Sequence, residues 1–160
     1  MAENPFWDFS LRHYVNPSVQ ALCLQLQDEI QANVNLLLFA LWLAEQRRVF
    51  DVSLINAHSP FLSWREQVVL PLRQSRVAAK QLQGRNAAYE ALKKCELQVE
   101  RVEQDLLFDL GQTLPIAGPA YSGEQLVNEN LMGYLATLPL TVAQREQIAS
   151  QLVDAVFPSN

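Results

Sequence analysis

The chain has 160 residues, a formal net charge of −5, and 49% hydrophobic against 18% charged residues. Those values exclude a disordered or collagen-like chain and predict one domain that folds without metal or disulfide. Leu, Ala and Gln number 26, 17 and 16, while Gly and Pro number 5 and 8, so helix is favoured over a turn-rich all-β fold. Two cysteines, Cys23 and Cys95, build no disulfide framework, and both are expected as packed apolar residues of a reducing compartment.

Met1 to Asp8 has no basic segment before an apolar core, so no secretory signal is expected. The longest unbroken apolar run, Leu36 to Ala44, is nine residues, and a membrane-spanning helix needs about 20. A cytoplasmic, soluble chain is the expectation. Asn4-Pro5, Asn16-Pro17 and Ser59-Pro60 each offer a side-chain acceptor at N-cap with proline at N1. Ser63 with Glu66, Ser122 with Gln125, and Thr141 with Gln144 have capping-box spacing. Helices are thus predicted over 5–15, 17–31, 33–49, 60–83, 85–113, 123–138 and 141–157. A short turn is expected near 52–57, and a kink or split at Pro71.

The 33–49 segment, Val34-Asn35-Leu36-Leu37-Leu38-Phe39-Ala40-Leu41-Trp42-Leu43-Ala44, is apolar almost all round and predicts a central helix covered on every side. Its polar end, Glu45-Gln46-Arg47-Arg48, is expected to place arginines against the helix dipole. In the 85–113 segment, Ala88, Leu92, Cys95, Val99, Val102, Leu106 and Leu110 form a narrow seam of coiled-coil type. Val69, Leu72, Ala79 and Leu82 offer a partner seam across the turn Gln83-Gly84-Arg85-Asn86. The expected fold is all-α, one domain over 1–160: an N-terminal bundle (1–58), an antiparallel hairpin (59–113), a Pro-Gly linker (114–122) and a C-terminal helix pair (123–157).

Phe6-Trp7-Asp8-Phe9, Cys23-Leu24, Leu26-Gln27-Asp28, Val34-Asn35-Leu36-Leu37-Leu38, Trp42, and the run from Trp64 to Arg73 carry a resemblance. They resemble an uncharacterised family of small proteobacterial proteins, a domain of unknown function with a VNLLL signature. The likeness covers roughly the first half of the chain. The family pattern has Gly and Asp where this chain has Gln31 and Asn33. The resemblance implies a bacterial cytoplasmic protein and supplies no activity.

Candidate chemistry is sparse. His13 and His58 have no Cys, Asp or Glu at metal-ligand spacing, and no nucleophile elbow, P-loop, H-E-x-x-H or C-x-x-C occurs. Asp105 and Asp109 form a D-x-x-x-D pair of the kind that holds Mg²⁺–diphosphate, yet no second acidic motif accompanies them. Glu96, Glu100 and Glu103 extend that acidity and suggest a solvated face. Asn35, inside the first turn of the most apolar helix, must be hydrogen-bonded if it enters the core.

The charge distribution carries the most information. Residues 63–94 hold seven basic and two acidic side chains, a net of +5, against −10 elsewhere. Arg73, Arg76 and Lys80 are spaced for one helical face. The leading expectation is a non-enzymatic interaction or adaptor protein docking an acidic partner through Arg65, Arg73, Arg76, Lys80 and Arg85. A sequence pI near 5.0 argues against nucleic acid. No cofactor, metal or catalytic residue is assigned, and self-association through the hairpin is a further option. The alternative is a small helical enzyme or ligand binder with a pocket among the N-terminal aromatics, Phe6, Trp7, Phe9, Tyr14, Trp42 and Trp64.

Overall fold

A computed structural model describes residues 3–157, so Met1 and Ala2, on which the reading of the chain start partly rested, lie outside it. The described residues form ten helical segments in succession: α1 (Pro5–Tyr14), α2 (Pro17–Ile30), α3 (Val34–Glu45), α4 (Val52–Asn56), α5 (Ser59–Trp64), a π-helical turn (Arg65–Val69), α6 (Leu70–Gln83), α7 (Ala87–Gly111), α8 (Gly123–Leu135) and α9 (Val142–Val156). The described residues contain no strand beyond an isolated bridge pairing Arg48 with Ile116. The protein is all-α.

Local chemistry explains most helix starts. Asn4 accepts from the N–H groups of Phe6 and Trp7, Asn16 from Ser18, and Asn33 from Leu36, each filling part of the donor deficit at a helix N-terminus. Both C-terminal capping boxes form, Ser122 with Gln125 and Thr141 with Gln144. The expected cap at Ser59 does not: His58 stands at N-cap without a side-chain bond, and Pro60 sits one position further in. Ser63 and Glu66 form no box either, because the chain is already helical there and Glu66 lies in the π turn.

That turn shows how Pro71 is accommodated. Proline lacks an N–H and its ring crowds the carbonyl four residues back, which here belongs to Gln67. The helix widens one turn before Pro71, and the N–H of Leu70 reaches the carbonyl of Arg65. The expected kink at Pro71 is therefore a π turn just upstream of it.

The α3 helix is buried from Leu37 to Ala44, all at 5% exposure or less, while Val34 and Leu36 in its first turn are half-buried. It packs against α1, α2, α7 and, most extensively, α8. At Gly111 the α7 backbone comes so close to α3 that a Cβ would stand 3.3 Å from both Phe39 and Trp42. The helix ends four residues earlier than expected. Arg47 adopts a left-handed backbone (φ 58°), and the Arg48 N–H bonds back to the Leu43 carbonyl. Arg47 and Arg48 do not serve the dipole of α3 from within the helix. They hold the linker: Arg48 Nη1 donates to the Leu114 carbonyl at 2.6 Å, and Arg47 Nη2 to those of Gly118 and Tyr121 at 3.0 Å. At the other helix junction Gln31 is also left-handed (φ 57°) and ends α2, in a conformation that glycine takes at least cost.

Candidate functional site

The hairpin of α6 and α7 departs from the expected register. Along one face of α7, Tyr89, Leu92, Glu96, Val99, Glu103, Leu106 and Leu110, alternately three and four residues apart, are buried or half-buried. Leu92, Val99, Leu106 and Leu110 belong to the expected seam, but Ala88, Cys95 and Val102 are exposed and their places are taken by Tyr89, Glu96 and Glu103. Cys95 is thus a surface thiol rather than a packed one. On the other arm Val69 is buried and Leu72 and Ala79 are half-buried, while Leu82 is 77% exposed.

Two glutamates can occupy a helix seam because arginines meet them there. Arg73 donates from Nε to Glu96 at 2.9 Å and from Nη2 to Glu100 at 2.6 Å, and Arg76 also pairs with Glu96. Arg65 lies 3.4 Å from Glu103, which is fully buried. Glu96, Glu100 and Glu103 are therefore internal partners, not the solvated face expected of them. Burial opposes the charge of Arg73, but its bonds to Glu96 and Glu100 outweigh that cost and hold its pKa above the usual value. Burial raises the pKa of Glu100, with repulsion from Glu96 and Glu103 adding to it and Arg73 opposing.

The network continues into the N-terminal bundle. Asn35 donates to Glu103 at 2.8 Å and to the Glu100 carbonyl at 3.3 Å, so the amide inside α3 is satisfied, as its place required. That orientation turns its Oδ1 toward Gln104, whose Nε2 donates to it at 2.9 Å and to Ser10 Oγ at 3.0 Å. Gln104 Oε1 is left without a partner among the described residues. Asp105 accepts a bond from the Asn4 side chain at 2.7 Å and so fastens the start of α1 to α7. Asp109 is exposed. His13 packs on the Phe9 ring at 4.4 Å, and burial with the nearby Arg12 charge lowers its pKa. No group of three His, Cys, Asp or Glu suited to a metal ion occurs among the described residues.

A cleft of about 450 Å³ opens between this network and the N-terminal helices. Trp7, Leu11 and Tyr14 line it from α1, Leu24 from α2, Leu38 from α3 and Leu97 from α7. Arg65, Arg73, Arg76, Glu96 and Glu100 form its polar side, with Lys93 at the same wall. Three of its leucines are strongly exposed: Leu11 at 50%, Leu24 at 42% and Leu97 at 53%. Of the expected aromatic set, Trp7 and Tyr14 face the cleft; Phe6, Phe9 and Trp42 are core, and Trp64 donates from its indole to the Val99 carbonyl. Burial raises the Tyr14 pKa to about 12.

Residues 5–107 match the family described as "Protein of unknown function (DUF2390)". The chain belongs to that family. No curated protein and no solved structure matches the chain. The DUF2390 segment ends within α7 and contains both walls of the cleft and every ion pair of the hairpin, whereas α8 and α9 lie beyond it. No described helix is long and apolar enough to cross a membrane.

Of the five arginines and lysines singled out in the sequence, Arg65, Arg73 and Arg76 face carboxylates of their own chain, while Lys80 and Arg85 are exposed on the distal half of the hairpin. Sequence reasoning missed Glu96, Glu100 and Glu103 as their partners. The signal was present: these carboxylates are spaced four and three apart, a single helical face, opposite arginines across a short turn.

Proposed function

We propose that this DUF2390 protein is a non-enzymatic interaction module that docks an acidic partner protein on the distal half of its hairpin. The supporting observation is the division of labour among the basic side chains. Arg65, Arg73 and Arg76 are neutralised internally, but residues 77–95 carry Lys80, Arg85, Lys93 and Lys94 against Glu90 alone, and all five are exposed. Tyr89 gathers two of these cations, with Arg85 5.9 Å and Lys93 5.6 Å from its ring centroid. On a chain of net charge −5, such a patch steers an acidic surface toward one end of the molecule. Arg65, Arg73 and Arg76 support the patch by holding the two arms together; Lys80 and Arg85 make the contact.

The test is affinity capture on immobilised protein, comparing wild type with a Lys80→Glu, Arg85→Glu, Lys94→Glu variant. The wild type should retain an acidic protein at low salt and release it as salt rises, since the Debye length falls to about 8 Å at physiological ionic strength. The variant should retain it at least about tenfold less well. Identical retention by both baits, or no salt-sensitive protein at all, would remove the hairpin from the function. Arg73 and Arg76 are unsuitable for this experiment because reversing them would break the hairpin itself.

A further inference from the structure

We infer that the cleft between α1, α2 and the hairpin is a binding site for a small amphipathic anion, an aliphatic chain ending in a single carboxylate. The site has its own lining and shares only Lys93 with the distal patch of the hairpin. Its volume of about 450 Å³ lies within the roughly 300–1,000 Å³ of small-molecule sites. The body of the ligand is specified by Trp7, Leu11, Leu24, Leu38 and Leu97, which converge from four helices. Leu11, Leu24 and Leu97 remain between 42% and 53% exposed. Large apolar side chains exposed singly need no explanation, but three around one recess leave an apolar surface that a ligand chain would cover.

Charge specifies the head. The lining holds Arg65, Arg73, Arg76 and Lys93 against Glu96 and Glu100, while Arg65 and Lys93 each draw on a carboxylate outside the lining, Glu103 and Glu90. Four cations thus stand near four carboxylates, and the contact of Lys93 is the longest among them. Lys93 is the cation with donors to spare: its nearest carboxylate, Glu90, is 4.0 Å away, and its side chain is 46% exposed. A ligand carboxylate seated beside Lys93 and Arg76 completes the alternation of charge along that wall, with its chain running over Leu97 toward Trp7. A neutral chain gains no such contact, and a second negative charge would face Glu96 and Glu100.

Calorimetric titration of the full chain with decanoate tests this, with decanol and acetate as controls and brominated decanoate as a quencher of Trp7 fluorescence. Decanoate should bind once per chain, and decanol and acetate at least about tenfold more weakly. Lys93→Glu and Leu97→Asn, both at exposed positions, should each weaken decanoate about tenfold while leaving the melting temperature in place. The bromine should quench wild-type emission more than that of Trp7→Phe. Absence of saturable binding, equal affinity for decanol, or many weak sites indifferent to Leu97→Asn would overturn the assignment. So would binding to phosphatidylglycerol vesicles without binding to free decanoate, which would assign the surface to a membrane.

Discussion

Glu103 shows most sharply how a single side chain is valued by its surroundings. It is fully buried, accepts a bond from Asn35 and pairs with Arg65. A buried pair contributes little net stability when intact, because desolvation of both ions offsets their attraction, but breaking it strands the remaining charge. Glu103→Ala should therefore cost about 3 kcal/mol in urea unfolding. Glu103→Gln, which loses the charge but can still accept from Asn35, should cost less, and equal costs would show that the bond from Asn35 adds nothing beyond the charge. The two cysteines part company at the same scale. Cys23 is buried and its pKa is raised from 9.0 to about 12 by desolvation, whereas Cys95 is exposed. A thiol reagent at pH 8 should titrate one group in the native protein and the second only on unfolding. Because the folded protein holds the Cys23 proton more tightly than the unfolded chain, its contribution to stability is complete below pH 9 and is lost progressively toward pH 12. Above pH 9, stability should fall by about 1.4 kcal/mol per pH unit from this group, and Cys23→Ala should make that alkaline slope shallower.

At the scale of elements, α3 and α6 are opposites. α3 has its stretch from Leu37 to Ala44 buried by neighbours on all sides; α6 has no buried residue and packs chiefly on α7. Local stability should follow local burial. Amides of residues 72–83 should exchange with solvent hydrogen faster than those of residues 37–44. What keeps α6 on α7 is the Arg73 and Arg76 lattice with Glu96 and Glu100, so Arg73→Glu with Arg76→Glu would set four carboxylates against one another. Protection across the hairpin should collapse in that variant while α3 keeps its own. A uniform loss over both helices would mean that the hairpin and the bundle open as one unit.

Across the whole molecule, the C-terminal pair is bound into the same core as the DUF2390 segment. α8 lies along α3, and α9 packs on α8 and α2. One bond marks the join: the buried Asn33 N–H, at the turn between α2 and α3, donates to the Tyr134 hydroxyl on α8 at 2.7 Å. Burial raises the pKa of that phenol, and its bond to Asn33 only partly offsets the rise. Tyr134→Phe leaves the N–H without an acceptor and should cost about 1–3 kcal/mol. Tyr121→Phe, at a 39% exposed site on the linker, should cost almost nothing. Asn130 makes a second join, donating to the Arg48 carbonyl at 2.9 Å and accepting from the Phe50 N–H at 2.9 Å.

The sequence by itself determined the helical class, the buried central helix, most helix starts and both C-terminal capping boxes. Those features depend on residues a few positions apart, through 3.6-residue periodicity and side chains that bond their own backbone. It also showed that basic residues concentrate in the hairpin. Only the tertiary structure decided what those residues do. The seam of α7 was misread because apolar pattern alone cannot favour a glutamate over a neighbouring Cys95 or Val102. Glu96 and Glu103 enter the interface only once Arg65, Arg73 and Arg76 stand opposite and repay their desolvation. The cleft was equally hidden, since Trp7, Leu24 and Leu97 become neighbours only when α1, α2 and α7 pack together. Local periodicity sets which face of a helix is apolar; the packing of distant helices sets which part of that face stays open to a ligand.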